Sequence, residues 1–309
     1  MAHSHAQDHH GHGHGHNHGA GHGRAFGIGI ALNFGFVLVE AWYGWKTGSL
    51  ALLADAAHNL GDVGGLILAW MAYAAAKLRP SEHKTYGWQR GSILASFVNA
   101  AVLLIAMGSL GWEAIQRLQQ PAPIAAGTVM IVAAIGVLIN AATAALFMSG
   151  GKTDLNIRGA FLHMAADALV SVGVIIAGAL YLWQGWAWID PLASIVIAIV
   201  VIFGTWSLFR QSLHLLFDGV PEHISVPKVR ESLAAIAGVA SVHDLHVWAM
   251  STAEPALTAH LVVHGERTAD GILRDAQVVL HERFGIHHVT LQLEAEACAE
   301  HCASEAAPQ

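Results

Sequence analysis

Six long apolar segments limit what this chain can fold into. Each is close to the roughly 20 residues that a helix needs to cross a bilayer. The whole chain is 54% hydrophobic and only 12% charged, whereas a soluble protein usually carries about twice that charged fraction. We therefore expect an α-helical membrane protein with six transmembrane helices. The segments lie at about 25–45, 49–78, 89–117, 123–149, 157–183 and 186–212.

Positive charge in the short loops indicates how the helices are oriented. Eight Lys and Arg residues lie on one predicted side of the membrane and two on the other, and cytoplasmic loops are the ones enriched in positive charge. We therefore place both termini in the cytoplasm. The short loops and compact length favour a bacterial inner membrane. The eight are Arg24, Lys77, Arg79, Lys84, Arg90, Lys152, Arg158 and Arg210, and the two are Lys46 and Arg117.

The sequence pattern changes after "DGVPEH", residues 218–223. Two segments then have the apolar spacing of amphipathic helices, and three alternate in the manner of strands. In chain order they lie at 225–237, 240–250, 256–265, 268–285 and 287–294. This order predicts a small cytoplasmic α+β domain, αββαβ, of a metallochaperone-like kind.

Histidine is concentrated at the N-terminus. Of the 22 histidines, nine precede residue 23, in a stretch rich in glycine and without side chains that could pack. Such a segment is expected to be disordered, and His-rich tracts commonly bind metal loosely. The alternative is a purification tag, although tags are usually uninterrupted runs of histidine.

Charge and cysteine content argue against two other classes of protein. The formal charge of -7 gives no basic surface, so nucleic acid is not an expected partner. The two cysteines, Cys298 and Cys302, are too few for a disulfide framework.

Two of the apolar segments contain ionisable residues in the same arrangement. "ADAAHNLGD" places His58 and Asp62 four residues apart, and "LHMAADAL" does the same for His163 and Asp167. Residues four apart share one face of a helix, and charged groups in a membrane mark functional sites. Two imidazoles and two carboxylates suit tetrahedral Zn²⁺, so we predict that the pairs converge on a metal. The alternative, polar residues that join helices by hydrogen bonds, explains two identical pairs less well.

Further acids, Asp55 and Asp190 among them, lie in or beside the apolar segments. Asp55 precedes Asp62 by seven residues and faces the same side of the helix. We interpret it as a group that positions the helix, rather than as a metal ligand. Asp190 lies near a membrane end, where water or backbone amides can satisfy its carboxylate.

Taken together, these features resemble the cation diffusion facilitator family. The stretches "GSLALLADAAHNLGD", "NIRGAFLHMAADALVSVGV" and "WIDPLAS" are close to the characteristic stretches of that family, and the resemblance runs from about residue 25 to 296. It implies metal export from the cytoplasm in exchange for protons, performed by a homodimer in the lipid membrane. It also implies that His58, Asp62, His163 and Asp167 form the transport site, and that a His at position 58 favours Zn²⁺ over Cd²⁺.

The resemblance also implies metal sites outside the membrane. The loop "RPSEHKTYGWQR" matches one that binds a second metal in some relatives, with Glu82 and His83 as the candidates here; the alternative is a solvated loop. In relatives with a similar ending, zinc binds between the two tail domains of the dimer. That motif carries over to His243, His260, His287 and Glu294. Cys298 and Cys302 resemble a terminal cysteine pair of the family, although the spacing here is CxxxC and not CxxC.

The sequence therefore predicts a secondary active transporter and not an enzyme, with Zn²⁺ as the main substrate and Co²⁺ or Cd²⁺ as further ones. A passive metal channel would need the same ligands without proton coupling. A membrane metalloenzyme would need further His residues or a nucleophile at the site. The predicted parts are a His-rich tail (1–23), a transport domain (24–213), the cytoplasmic domain (214–296) and a flexible end with the cysteines (297–309).

Overall fold

A computed structural model describes residues 20–148, 155–265 and 267–296 of the chain, and the side chains of residues 33–145, 164–265 and 267–296. Six long helices come first, each over one of the predicted apolar segments. They are α1 (Ala20–Thr47), α2 (Leu50–Ala76), α3 (Gly91–Gln119), α4 (Ala126–Met148), α5 (Leu155–Gln184) and α6 (Ile189–Leu216).

Four stretches within the described part of the chain are long and apolar enough to cross a membrane. They are Gly91–Gln119, Ala126–Ala145, Met164–Gln184 and Ile189–Leu216. Helix α2 has the necessary length, but the polar residues of "ADAAHNLGD" lower the hydropathy of its first half. The prediction of a helical membrane domain is thus confirmed in its coarse form.

The long helices end where the sequence supplies glycine or proline. Gly48 and Gly185 have φ angles of 71° and 68°, a conformation that glycine adopts without strain. They follow α1 and α5. Pro121 and Pro123 follow α3, and a proline cannot continue a helix because it lacks the backbone N–H. The short connections therefore follow directly from the local sequence.

One compact unit comprises Met1–Ala56 and Ala122–Asp190. In it, α4 packs along α5 and also against α1. A Cβ atom at Gly136 of α4 would lie 2.8 Å from Cζ of Phe36 and 3.2 Å from Oγ of Ser171. The absence of a side chain at residue 136 therefore lets α1 and α5 approach α4 closely, as small residues do between membrane helices.

A second compact unit comprises Ala57–Pro121 and Pro191–Gln309. In it, Phe97 of α3 stacks on Phe209 of α6 with 5.4 Å between ring centroids. Arg90, just before α3, forms an ion pair with Asp218, which follows α6. These contacts join the first part of α3 to the last part of α6 and the residues just after it.

The C-terminal part of the second unit has the predicted αββαβ order. Helices α7 (Val226–Ala234) and α8 (Ala269–Phe284) accompany strands β1 (Val239–Ala249), β2 (Pro255–Val263) and β3 (His288–Glu294). The sheet order is β1-β2-β3, with β1 antiparallel and β3 parallel to β2. Apolar residues from both helices and all three strands form one core. Thr268 caps the start of α8, and Gly285 ends it with a φ angle of 66°.

Two contacts tie this domain to the segment around the start of α3, within the second unit. The backbone N–H of Thr252, in the turn after β1, donates to Oγ of Ser92 at 3.1 Å. The ring of Tyr86 meets the ring of His288 edge to face, with 5.4 Å between centroids. The turn between β1 and β2 and the start of β3 are therefore the parts of the sheet nearest that segment.

Candidate metal sites

Helix α2 carries the first predicted His–Asp pair. The Nε2 atom of His58 lies 3.6 Å from Oδ2 of Asp62, one helical turn further on. Both side chains are partly buried, at 19% and 33% exposure. An imidazole nitrogen and a carboxylate oxygen at this separation form half of a tetrahedral zinc ligand set. The structure therefore brings these two predicted residues together on one helix face.

Helix α5 carries the second predicted pair. The backbone from Leu155 to Gln184 is one continuous helix, so His163 and Asp167 are one turn apart on it. Asp167 is 2% exposed. The side chain of His163 lies outside the described side chains. A carboxylate at this depth in an apolar helix is costly, which agrees with a functional role.

Asp55 is fully buried on α2, and its partner lies on α5. The hydroxyl of Ser171 donates to Oδ2 of Asp55 at 3.0 Å, and both residues are 0% exposed. Ser171 follows Asp167 by one turn. The sequence indicated a positioning role for Asp55, but it gave no sign of Ser171 as the partner.

Asp190, near the start of α6, has a purely structural environment. The backbone N–H of Leu50 donates to its Oδ2 at 2.8 Å, and the Ser49 hydroxyl donates to Oδ1. The N–H of Leu52 in turn donates to the Ser49 hydroxyl at 3.2 Å. Asp190 and Ser49 thus cap the N-terminus of α2, where negative charge is favoured. Of the two expected partners of Asp190, water and backbone amides, the structure shows a backbone amide, that of Leu50, and the Ser49 hydroxyl is a partner that the sequence did not indicate.

His83 and Glu82 lie in the turn between α2 and α3. Both are exposed, and a short bridge between Ser81 and Lys84 shapes the turn. Among the described residues, the group of three possible metal ligands that lie close together does not include His83 or Glu82. His83 thus lies on an exposed turn, apart from that group.

That group of three lies on the sheet of the cytoplasmic domain and consists of His243, His260 and Glu294. His243 on β1 is the register partner of His260 on β2, and Glu294 ends the neighbouring β3. The carboxylate of Glu294 spans both rings: Oε2 lies 2.9 Å from Nε2 of His243, and Oε1 lies 2.9 Å from Nδ1 of His260. Two imidazoles and one carboxylate fit Zn²⁺ well, with a fourth position left for another ligand.

Asp244 extends this cluster and was missed from the sequence. Its Oδ1 lies 2.9 Å from Nε2 of His246, and its Oδ2 lies 3.6 Å from Nε2 of His260. The hydrogen bond from His246 is the main reason that the pKa of Asp244 lies below its ordinary value. Strand alternation would put Asp244 on the face opposite His243. The register shifts between His243 and His246, and the φ angle of Asp244 is 48°. This irregularity in β1 places the Asp244 carboxylate beside the cluster.

Of the other predicted ligands of this domain, His287 is described, and it lies apart from that group. His287, just before β3, packs against His281 of α8 with 4.3 Å between ring centroids, and both side chains are exposed. Cys298, Cys302 and the histidines before Ala20 lie outside the described residues.

Comparison with known proteins covers almost the whole of the described chain. Residues 27–217 match the cation efflux transmembrane domain, and residues 221–296 match the cytoplasmic domain of cation efflux proteins. A protein of Bacillus subtilis (strain 168) named "Cadmium, cobalt and zinc/H(+)-K(+) antiporter" is 39% identical over 268 residues, which cover 85% of this chain and 86% of that protein. The protein named "Zinc transporter ZitB" of Escherichia coli (strain K12) is 37% identical over 266 residues, 85% of each chain.

A solved structure, the metal-bound C-terminal domain of the CzcD transporter from Cuprividus metallidurans, is 33% identical. The match covers 23% of this chain and 99% of that one, with a TM-score of 0.22. The first family match alone extends over more than half of the chain. The chain therefore belongs to the cation efflux family, the cation diffusion facilitators.

Proposed function

We propose that this protein exports divalent metal from the cytoplasm in exchange for protons, with Zn²⁺ as the main substrate and Cd²⁺ and Co²⁺ as further ones. The observation that carries the proposal is the pair on α2, where His58 and Asp62 lie 3.6 Å apart within an apolar helix. The sequence of α5 repeats the pair with His163 and Asp167. The relatives' names describe metal antiport and zinc transport, which argues for transport and against an enzymatic reaction.

The proposed transport site consists of His58, Asp62, His163 and Asp167. Two carboxylates balance the charge of a divalent ion, so the filled site is close to neutral. Charged groups without such balance are costly in a medium of low dielectric constant. The site therefore favours being occupied, either by a metal ion or by protons.

Competition for the same atoms supplies the coupling between metal and protons. Imidazole nitrogens and carboxylate oxygens must be deprotonated to bind metal. A site that opens alternately to the two sides of the membrane thus carries metal out and protons in. The membrane potential opposes the export of a positive charge by about 2.3 kcal/mol per 100 mV, and the returning protons offset that cost.

The cytoplasmic cluster is proposed to bind a regulatory zinc ion. His243, His260 and Glu294 would hold the ion, and the ion would then link β1, β2 and β3. The family match of this domain supports a homodimer, with His287, Cys298 and Cys302 as further candidate ligands near the dimer partner. Metal level in the cytoplasm would then act on the dimer through this domain.

The remaining features of the proposal concern topology. We propose that all six long helices span a bacterial inner membrane with both termini in the cytoplasm. The part boundaries are 1–23, 24–213, 214–296 and 297–309. The His-rich tail and His83 would act as weak cytoplasmic metal-binding groups beside the transport pathway.

The test is zinc transport into proteoliposomes with a pH gradient imposed in either direction. We expect a gradient that drives protons against the zinc flow to accelerate uptake several-fold, and a collapsed gradient to slow it. Asp62→Ala should abolish uptake because the metal loses a ligand. Glu113→Gln is the matched control, since Glu113 forms a surface ion pair with Arg117 at the end of α3.

Uptake that ignores the pH gradient would contradict antiport and identify a passive channel. Near-normal uptake by the Asp62→Ala variant would contradict the site. Both measurements require that the variants purify as folded dimers.

A further inference from the structure

The hydrogen bond between Asp55 and Ser171 joins two metal-binding helices. Asp55 on α2 lies three residues before His58, and Ser171 on α5 lies four residues after Asp167. The Ser171 hydroxyl donates to Oδ2 of Asp55 at 3.0 Å, and neither residue is exposed to solvent. On α2 the bond is thus less than one helical turn from His58, and on α5 it is about one turn from Asp167.

The surroundings leave the Ser171 hydroxyl little choice of direction. A Cβ at Gly136 of α4 would lie only 3.2 Å from its Oγ, so the α4 backbone closes that side. In a buried site, a carboxylate and a hydroxyl that form a hydrogen bond in this way favour one relative rotation of their helices. The rotation of α5 in turn determines where Asp167 points.

We propose that Asp55 is a positioning residue that acts through Ser171 to fix the presentation of Asp167, and that this bond adds to the preference for Zn²⁺ over Cd²⁺ that His58 confers. The inference rests on the proposed transport function and adds a second contribution to its metal selectivity, from a residue that is not a ligand. Asp55 contributes no ligand to the metal in this account.

The physical reason lies in the size of the ions. Zn²⁺ binds four ligands at about 2.0–2.2 Å in a tetrahedron, so its ligands must come close together. Cd²⁺ is larger and accepts more widely spaced ligands. Selection between similar ions depends on the geometry and rigidity of the site. A bond that holds α2 to α5 therefore favours the smaller ion, and its loss favours the larger one.

The experiment compares Ser171→Ala with Ser171→Thr in proteoliposomes. Alanine removes the donor, and we expect the ratio of kcat/KM for Zn²⁺ to that for Cd²⁺ to fall about three- to tenfold, as for loss of one buried interhelical hydrogen bond. Threonine keeps the hydroxyl, so the ratio in Ser171→Thr should stay near that of the original protein. Thr143→Val is the matched control, because Thr143 is 5% exposed and donates to Ile139 of its own helix.

Asp55→Asn separates geometry from charge. The amide oxygen still accepts from Ser171, so we expect the metal ratio of this variant to stay near that of the original protein. If Ser171→Ala does not purify as a folded dimer, Ser171→Cys takes its place, since a thiol is a weak donor of similar size.

Three results would overturn the inference. The first is an unchanged metal ratio in Ser171→Ala, or in Ser171→Cys where that replaces it. The second is an equal fall in the Thr143→Val control, which would indicate general loosening. The third is complete loss of transport in Asp55→Asn, which would show that Asp55 acts through its charge. If the unsubstituted protein transports neither metal, the proposed function itself fails, which is a distinguishable result.

Discussion

The α2 pair and the cytoplasmic cluster use the same side chains in opposite surroundings. His58 and Asp62 belong to one helix and face each other because they are four residues apart. His243, His260 and Glu294 come from three strands, and sheet register alone brings them together. The first arrangement is local and sits in an apolar helix, whereas the second is assembled from distant parts of a small water-facing domain.

The two sites therefore differ in the energetic cost of their metal-free forms. In the cluster, one carboxylate lies 2.9 Å from a ring nitrogen of each histidine, so these polar groups keep partners when metal is absent. Ionised groups in an apolar helix are far more expensive. In the proposed roles, the helical site exchanges one cation for another, and the cluster empties and refills as the metal concentration changes. The first suits transport and the second suits sensing.

The largest expected effect contrasts a carboxylate from each site. Asp167→Ala should reduce zinc transport at least about 100-fold, because a ligand is lost where nothing replaces it. Glu294→Ala should leave transport under saturating zinc within about tenfold of the original. Both rates are measured in the same proteoliposome assay. Equal losses in the two variants would break the distinction between transport and sensing.

The next effect concerns metal affinity of the cluster itself. In a background of Asp62→Ala with Asp167→Ala, Glu294→Ala should weaken the remaining zinc binding about 100-fold, since Glu294 joins both histidines. Isothermal titration of the full chain measures this. Glu296→Ala, at an exposed position two residues further on, is the control and should change nothing. Unaltered binding in Glu294→Ala would remove the cluster as a zinc site.

A smaller effect is expected for Asp244. It lies 3.6 Å from Nε2 of His260 and orients that ring from behind. Asp244→Asn should weaken zinc binding by the cluster about tenfold, the lower end of the range for groups that orient a ligand. Titration in the same background checks it, with Asp270→Asn in the first turn of α8 as the control. An effect as large as that of Glu294→Ala would make Asp244 a ligand.

The smallest effect is on stability and depends on pH. The hydrogen bond from His246 lowers the pKa of Asp244, so folding favours its ionised form. That stabilisation is complete above the unfolded value of about 3.9 and is lost as the pH falls through the folded value. With a chelator present, Asp244→Asn should unfold about 1 °C below the original protein at pH 6. The gap should close below about pH 4, and a gap that widens on acidification would contradict the assignment.

The sequence was informative wherever a feature depends on the short repeat of a helix or a strand. Apolar length predicted the six helices, and the apolar patterns of the C-terminal part predicted αββαβ. Four-residue spacing predicted that His58 and Asp62 face each other. His243 and His260 were expected on adjacent strands, and the structure makes them register partners.

Long-range and irregular features were not predictable. Ser171 meets Asp55 across 116 positions of the chain, and that meeting depends on how α5 is rotated. Asp244 joins the cluster because β1 departs from regular alternation. His287 was grouped with the strand ligands, but its ring packs on His281 of α8. A helix or strand period contains no information on any of these three.

The position of Glu294 has a consequence for how the protein is made. β3 reaches the sheet only after α8 has crossed over to run parallel with β2, and Glu294 is its last residue. Chains emerge from the ribosome at about 5–20 residues per second, N-terminal parts first. The six long helices are therefore synthesised before the cluster can form. A chain that stops before β3 would therefore have all six long helices but not the complete cluster.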